Sequence, residues 1–210
     1  MRYILDTYIR AEDTKVVSEL GNMSLVELLL QGKTTTPADL VKDLPGNNEA
    51  KAETIDNNLQ HEIVKKMSSN SVYYGKLSEM LKKIILQRKI EAMSYEEYLR
   101  QVVELAEAIL HPENSGSYPD GIKDSAARRA LYDHFEANFE LTIDVDGAIR
   151  VSIRPEWKRN FQKQQRIRLA IYQKLLLHSY SEDKATEETQ NVFDIAQRQE
   201  EYLSLIHISE

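Results

Sequence analysis

Apolar residues recur at three- and four-residue intervals along most of the chain, which is the spacing of an amphipathic α-helix. The longest of these stripes predicts a helix from Val72 to about Met93. Shorter ones predict helices from about Glu49 to Met67 and from about Ser125 to Phe135. Ser94 and Glu97 form a capping box, which predicts the start of a further helix. The short breaks between these segments are typical of antiparallel neighbours in a bundle.

Helix signals are also present towards both ends of the chain. Ser24 and Glu27 form another capping box at the start of the apolar segment SLVELLLQG. Further along, the pattern predicts a helix that ends near Leu177 and a last helix through NVFDIAQRQEEY. The clearest loop is HPENSGSYPDG, at residues 111–121. With only seven glycines and five prolines, the chain has few places for tight turns, which favours helices.

One segment, LTIDVDGAIRVSI, fits two kinds of structure. Apolar residues alternate on both sides of Asp146-Gly147, a pattern that favours a β-hairpin over residues 141–153. Leu141, Val145 and Ala148 also suit one face of a helix. The local pattern alone places the hairpin first. The predicted fold class is therefore all-α, mainly an antiparallel helix bundle, with a minor β-hairpin near residues 141–153 as a local alternative.

Composition limits the class of protein. A chain of 210 residues with 41% hydrophobic and 29% charged residues is typical of a globular domain. The absence of cysteine excludes disulfides and cysteine-bound zinc and suits the cytoplasm, which is the expected location. No apolar run approaches the length of a membrane span, so no membrane partner is expected. A net charge of −7 argues against indiscriminate DNA binding by the whole chain, so any phosphate contact must be local.

No motif for catalysis is intact. The GKT at residues 32–34 resembles the end of a phosphate-binding loop, but Glu27 stands where the first glycine is required. The five histidines show no i, i+4 pairing of the kind that holds a metal on a helix. A less favoured alternative is a small Mg²⁺-dependent nuclease, in which Asp120 and the later Glu156-Trp157-Lys158 would hold the ion. Pro155 disfavours the central strand that such a site needs, so we predict no catalytic, cofactor-binding or metal-binding residue.

A strongly basic stretch covers residues 150–174. It contains eight cations against a single anion, Glu156, for a net charge of +7 in a chain whose total is −7. This stretch is either the solvated face of a helix or a surface for DNA phosphates or an acidic partner. Two arginines after the YPDG loop form a second basic spot. The candidate contact residues are Arg128, Arg129, Arg154, Lys158, Arg159, Lys163 and Arg166.

Three segments carry a resemblance to a known family: ILQRKIEAMSYEEYL, YPDGIKDSAARRALYDHF and IDVDGAIRVSIRPEWKRN. They are similar to the C-terminal helical region of the R (restriction) subunit of type I restriction–modification enzymes, and the resemblance extends over about residues 2–202. The chain departs from the family pattern at Lys123-Asp124, at His134 and at residues 155–160. The family segment that corresponds to residues 140–153 is helical, so the resemblance implies a helix where the local pattern favours a hairpin.

The resemblance implies a division of the chain. Residues 1–48 would be a linker or helical extension after absent motor domains, and residues 49–202 would be the C-terminal helical domain. The ending LSLIHISE resembles a translated sequencing adapter, so residues 203–210 are expected to be a non-native tail.

The resemblance also implies a function. In the full R subunit, ATP and Mg²⁺ serve the missing motor and nuclease domains, which translocate and cleave DNA. The segment present would be a non-catalytic domain that docks onto the methyltransferase and specificity subunits and contacts DNA. A free-standing helical DNA-binding protein is the first alternative, ahead of the small nuclease.

Overall fold

The structure is a computed structural model that describes residue 44 and residues 46–204. Over these residues the chain forms eight α-helices and no strand, which confirms the predicted all-α class. The helices are α1 (Asn48–Lys66), α2 (Ser71–Lys89), α3 (Tyr95–Leu110), α4 (Ala126–His134), α5 (Phe139–Ser152), α6 (Phe161–Leu177), α7 (Glu182–Arg198) and α8 (Glu201–Ser204). Two single 3-10 turns lie at Pro112–Asn114 and Trp157–Arg159. The capping box at Ser24 and most of the predicted extension and tail lie outside the described residues.

Helix starts follow side chains that can cap a backbone N–H. The Asn47 side chain accepts a hydrogen bond from Ala50 N at 2.9 Å and begins α1. Ser94, as predicted, caps α3 by accepting from Glu97 N at 3.1 Å. The Glu97 carboxylate accepts from Arg100 and Gln101 on the exposed side of α3. The predicted Ser94 cap is therefore present, while Glu97 forms contacts along its own helix.

Helices α1, α2 and α3 pack around the first of two apolar cores. Ile55, Leu59 and Ile63 of α1 recur every four residues and are fully buried, as the apolar stripe predicts. The loop after α3 closes one end of this core with Tyr118 and Ile122. The burial of these side chains is the main favourable contribution to the stability of this half, at about 1.5–3 kcal/mol for each large residue.

A buried ion pair joins the three helices of the first half. Arg88 of α2 donates through Nη2 to Asp56 Oδ2 of α1 at 2.7 Å, and both side chains are more than nine-tenths buried. The Tyr98 hydroxyl of α3 donates to Asp56 Oδ1 at 2.8 Å. Burial, together with the Asp56 charge, raises the pKa of Tyr98 far above its ordinary value, so that the phenol remains a donor. The carboxylate thus has a partner on each neighbouring helix.

Helices α4 to α8 surround the second core. Helix α6 lies between α5 and α7, and α4 packs on both α5 and α7. Ile167, Ile171 and Leu175 form the buried stripe of α6. Trp157, from the turn that precedes α6, is fully buried against Phe193 of α7 in an edge-to-face contact with ring centroids 5.9 Å apart.

The predicted hairpin at residues 141–153 is wrong, because this segment is helix α5. Leu141, Val145 and Ile149 share one face at four-residue spacing and are buried in the second core. Asn138 caps the helix by accepting from Leu141 N at 3.1 Å. Asp146, which would occupy the tip of a hairpin, is fully buried. Tertiary burial of one helical face therefore overrides the local turn signal of Asp-Gly.

Polar contacts connect the two halves. Asn70, before α2, donates to Asp133 Oδ2 of α4 at 2.6 Å, and the Tyr118 hydroxyl donates to the same oxygen at 2.5 Å. Gln199, between α7 and α8, donates to Ser69 O at 2.8 Å although the two residues are 130 positions apart. Helices α2 and α4 also pack directly against each other. The described helices therefore form one continuous bundle.

Gly147 in the middle of α5 provides a stability test of this assignment. Glycine in a helix interior costs about 1 kcal/mol relative to alanine, and a Cβ added at Gly147 would meet nothing within 4 Å. We expect G147A to raise the free energy of unfolding by about 0.5–1 kcal/mol in urea denaturation. G121A is the matched control and should destabilise, because Gly121 has a φ of +87°. A loss of stability in G147A would contradict an uninterrupted helix.

Candidate functional site

The basic stretch is organised by a turn that is anchored in the core. Helix α5 ends before Ile153, which is buried, and Pro155 prevents the helix from continuing. Glu156 then adopts a left-handed conformation with a φ of 60°, and the buried Trp157 ties the turn to the second core. Asn160 caps α6 by accepting from Lys163 N at 3.1 Å. The cations next to Trp157 therefore lie on a well-supported turn.

Five of the predicted contact residues lie on this turn and the first two turns of α6. Three of them are held by carbonyl oxygens. Arg154 donates to Val151 O at 2.9 Å, and Lys163 donates to Pro155 O at 2.6 Å. Lys158 donates to Gln197 O at the C-terminal end of α7. We refer to this set as the basic turn surface, and its members are Arg154, Lys158, Arg159, Lys163 and Arg166.

Among the described residues, the cations of the basic turn surface are not paired with acids. Within residues 46–204, none of its five side chains forms an ion pair with a carboxylate, and helix α6 contains no acidic residue. Arg159 and Arg166 are exposed and form no hydrogen bond with any described residue. Carbonyl contacts hold a cation in place without cancelling its charge. The surface is therefore able to attract an anion locally, although the chain as a whole is acidic.

The second predicted basic spot differs, because its arginines are occupied by internal contacts. Arg128 donates through Nε to Asp146 Oδ2 at 2.7 Å and through Nη1 to Gly121 O at 2.8 Å. Arg129 donates to the carbonyl oxygen of Lys123. Asp146 is fully buried, so its charge requires these partners. Arg128 and Arg129 are therefore engaged in contacts within the fold.

Arg150, the first cation of the basic stretch, belongs to the same buried network. Its Nε lies 2.8 Å from Asp146 Oδ1, and its Nη2 pairs with Glu201 of α8. Burial opposes the charge of Arg150, but the two carboxylates hold its pKa above the ordinary value. The Tyr202 hydroxyl of α8 donates to Asp146 Oδ1 at 2.8 Å. This network joins α4, α5 and α8.

Glu201 closes the network at the start of α4. The Ser125 hydroxyl donates to the Glu201 carboxylate at 2.8 Å and Ala127 N donates at 3.2 Å, so the acid lies at the N-terminal end of the helix. Burial acts to raise the pKa of Glu201, but hydrogen bonds from Arg150, Ser125 and Ala127 outweigh it and hold the pKa below its usual value. The sequence pattern gave no sign of this contact, because Glu201 and Arg150 are 51 residues apart.

Apolar side chains accompany the basic turn surface. Phe161, the first residue of α6, is 66% exposed, and Val151 at the end of α5 is also exposed. Tyr172 is partly buried against the second core, whereas Trp157 is fully buried. Of the aromatic residues of the basic stretch, Phe161 is the one that presents its ring to solvent.

The residues proposed for a nuclease site have other contacts. Asp120 forms an exposed ion pair with Lys123 at 2.6 Å, and Glu156 is exposed on the turn. Over the described part of the chain, no three His, Asp or Glu side chains lie close enough to hold a metal ion. His134 and His178 pair with Glu188 and Asp144 respectively. No observation therefore favours the nuclease alternative.

Comparisons with known proteins identify no family for this chain, so the resemblance to the R subunit stays a prediction. A scan against protein-family models found no match, and searches of curated proteins and of solved structures found no significant match. None of the described helices combines the length and the apolar character needed to span a membrane.

Substitution of Asp146 tests the buried network. D146N keeps the size of the side chain but removes the charge that faces Arg128 and Arg150. We expect it to lower the free energy of unfolding by about 3 kcal/mol, because two partly buried guanidinium groups lose their carboxylate. D120N is the control, since Asp120 forms only an exposed pair, and its midpoint in urea should stay close to that of the wild type. If D146N and D120N changed the free energy of unfolding equally, the stabilising role of Asp146 in the buried network would be contradicted.

The pH dependence of stability tests the role of Glu201. A carboxyl group whose pKa is lowered by folding stabilises the protein above its ordinary pKa, and this contribution is lost as the pH falls through the lowered value. E201Q should therefore be less stable than the wild type at neutral pH. The difference should shrink below about pH 4.5, as Glu201 becomes protonated first in the unfolded chain and, at lower pH, in the folded protein. Urea denaturation at several pH values measures this difference, and a pH-independent difference would contradict the assignment.

Proposed function

We propose that this chain is a non-catalytic helical docking domain of the R subunit of a type I restriction–modification enzyme. The resemblance of ILQRKIEAMSYEEYL and YPDGIKDSAARRALYDHF to that subunit suggests the family. In this proposal the domain binds the methyltransferase and specificity subunits and lies beside the DNA that the motor moves. ATP and Mg²⁺ would act in the motor and nuclease domains of the full subunit.

One observation supports the binding role: exposed cations without carboxylate partners among the described residues lie next to a turn that is anchored by the buried Trp157, in an acidic chain. Arg159 and Arg166 form no hydrogen bond or ion pair with the described residues, although the structure pairs Arg128 and Arg150 with buried acids. An exposed cation without an internal partner keeps its charge available to an anionic partner. We therefore assign the contact with DNA phosphates or with an acidic face of the methyltransferase to the basic turn surface.

A charge reversal tests this assignment. We expect R159E/R166E to bind duplex DNA, or the methyltransferase–specificity complex of the same system, at least about tenfold more weakly at about 50 mM salt. The dependence of log K on log salt for duplex DNA should become shallower by about 2, because two phosphate contacts are removed. Fluorescence anisotropy with labelled duplex and calorimetric titration with the complex measure the two affinities.

The control for this experiment is K65E/K82E, which changes the net charge by the same amount. Lys65 and Lys82 are exposed and pair with acids one turn away, so they lie outside the basic turn surface. We expect the control to retain most of the affinity. Equal binding by R159E/R166E and the wild type at low salt would remove the basic turn surface as the contact site.

A free-standing helical DNA-binding protein would use the same surface, so the two functions differ in their partners. Tight duplex binding without any methyltransferase would favour the free-standing protein. The genomic sequence upstream of Met1 gives a separate test of the family, since an in-frame motor domain is expected there.

A further inference from the structure

An open groove lies between α2 and α3 in the first half of the bundle, and we refer to it as the α2–α3 groove. Its volume is about 410 Å³. The apolar residues that line it are Met80 and Ile84 of α2 and Leu105 and Ala108 of α3. Ile84 and Leu105 also belong to the first core, whereas Met80 is 49% exposed. The described residues therefore leave an apolar strip of this groove open to solvent.

The groove uses a different face of α3 from the one that packs in the first core. Gln101, Glu104 and Ala108 line the groove and follow one another at three- and four-residue intervals. The buried stripe of the same helix includes Val102 and Ile109 and faces the core that α1 shares. The α2–α3 pair therefore has a free face in addition to the one that packs with α1.

The chain enters the described structure close to one end of this groove. Leu44 packs against the first core, and Glu49 in the first turn of α1 pairs with Arg88 of α2 at 2.6 Å. Arg88 directly follows Gln87, which lines the groove. The residues that precede Leu44 along the chain therefore start near the Gln87 end of the groove.

An apolar segment of matching character precedes Leu44 in the sequence. It is SLVELLLQG, residues 24–32, which lies outside the described residues and which its capping box predicts to be a helix. On a helical wheel its five apolar residues are centred on Leu29, with Glu27 and Gln31 on the opposite side. Nine residues are too few for a stable isolated helix in water, so a helix here needs a surface that buries its leucines.

We propose that residues 24–32 dock as a helix in the α2–α3 groove and add a fourth helix to the first half. Nine helical residues are about 13 Å long, and the groove follows α3 from Glu97 to Ala108, a distance of about 16 Å. The eleven residues 33–43 reach up to about 36 Å, more than twice the length of the groove. A segment tethered in this way has a high effective concentration at the groove, which favours it over a separate partner.

The absence of cysteine allows a direct test with engineered cysteine pairs in the full chain. L28C/M80C places one thiol at the edge of the apolar face of the segment and the other in the groove. In dilute solution we expect an intramolecular disulfide to form at least about tenfold faster in L28C/M80C than in L28C/V64C. Val64 of α1 is the matched control, because it is 58% exposed and lies outside the groove. The shift in mobility on a non-reducing gel measures the rate of oxidation.

Two further substitutions in the L28C/M80C background separate docking from simple proximity. L29D places a charge in the middle of the apolar face and should lower the rate of oxidation by about tenfold, because docking would bury that charge. Q31D adds the same charge on the polar side of the segment and should leave the rate within about twofold. Circular dichroism of the variants should match the wild type over the described helices, since Met80 and Val64 are exposed.

Equal rates of oxidation in L28C/M80C and L28C/V64C, or equal effects of L29D and Q31D, would overturn the docking of residues 24–32. A disulfide that joins two chains instead of closing within one would also overturn it, and would indicate that the groove binds the segment of a second copy. Binding of DNA and of the methyltransferase by the basic turn surface is measured separately, so the failure of one proposal leaves the other standing.

Discussion

The second half of the bundle depends on one buried carboxylate. Asp146 is inaccessible to solvent. Arg128 and Arg150 balance its charge, and the Tyr202 hydroxyl donates a hydrogen bond to it, so that its partners come from three different helices. A carboxylate taken out of water is stable only where such partners surround it. Satisfying this one group requires α4 and α8 to lie against α5. The same solution occurs in the first half, where Asp56 is held by α2 and α3. In both cases a buried acid bonds to neighbouring helices, in addition to the apolar packing between them.

This network also determines where positive charge is available. Before folding, Arg128 and Arg150 are as cationic as any member of the basic stretch. After folding, buried or partly buried acids neutralise them, whereas Arg159 and Arg166 remain without partners among the described residues. In the folded protein, some cations are therefore paired with acids inside the bundle, and others are exposed without such a partner. Charge clustering in the sequence identifies the region, but only the tertiary structure decides which of its arginines are available for binding.

The elements that the sequence predicted correctly are those set by local physics. The apolar stripes and the capping side chain of Ser94 act within one helical turn, so they are visible in the sequence. The failure at Asp146-Gly147 has the opposite cause. The turn signal of this pair is also local, but the burial of Val145 and Asp146 depends on helices that are distant in the sequence. Pairings such as Arg150 with Glu201 leave no local pattern for the same reason. For the basic turn surface, composition indicated the residues, whereas the anchoring of the turn by Trp157 required the structure.

The charge distribution is compatible with the proposed docking role. The chain carries a net charge of −7, so the long-range field of the protein repels DNA, and attraction by the basic turn surface is limited to about one Debye length, near 10 Å. Such a surface captures free DNA inefficiently. If other subunits already hold the DNA close to it, the local concentration becomes high and a few cations contribute useful affinity. For the proposed docking domain, weak intrinsic attraction would be an advantage, because it would allow contact with DNA without competing against the movement of the duplex.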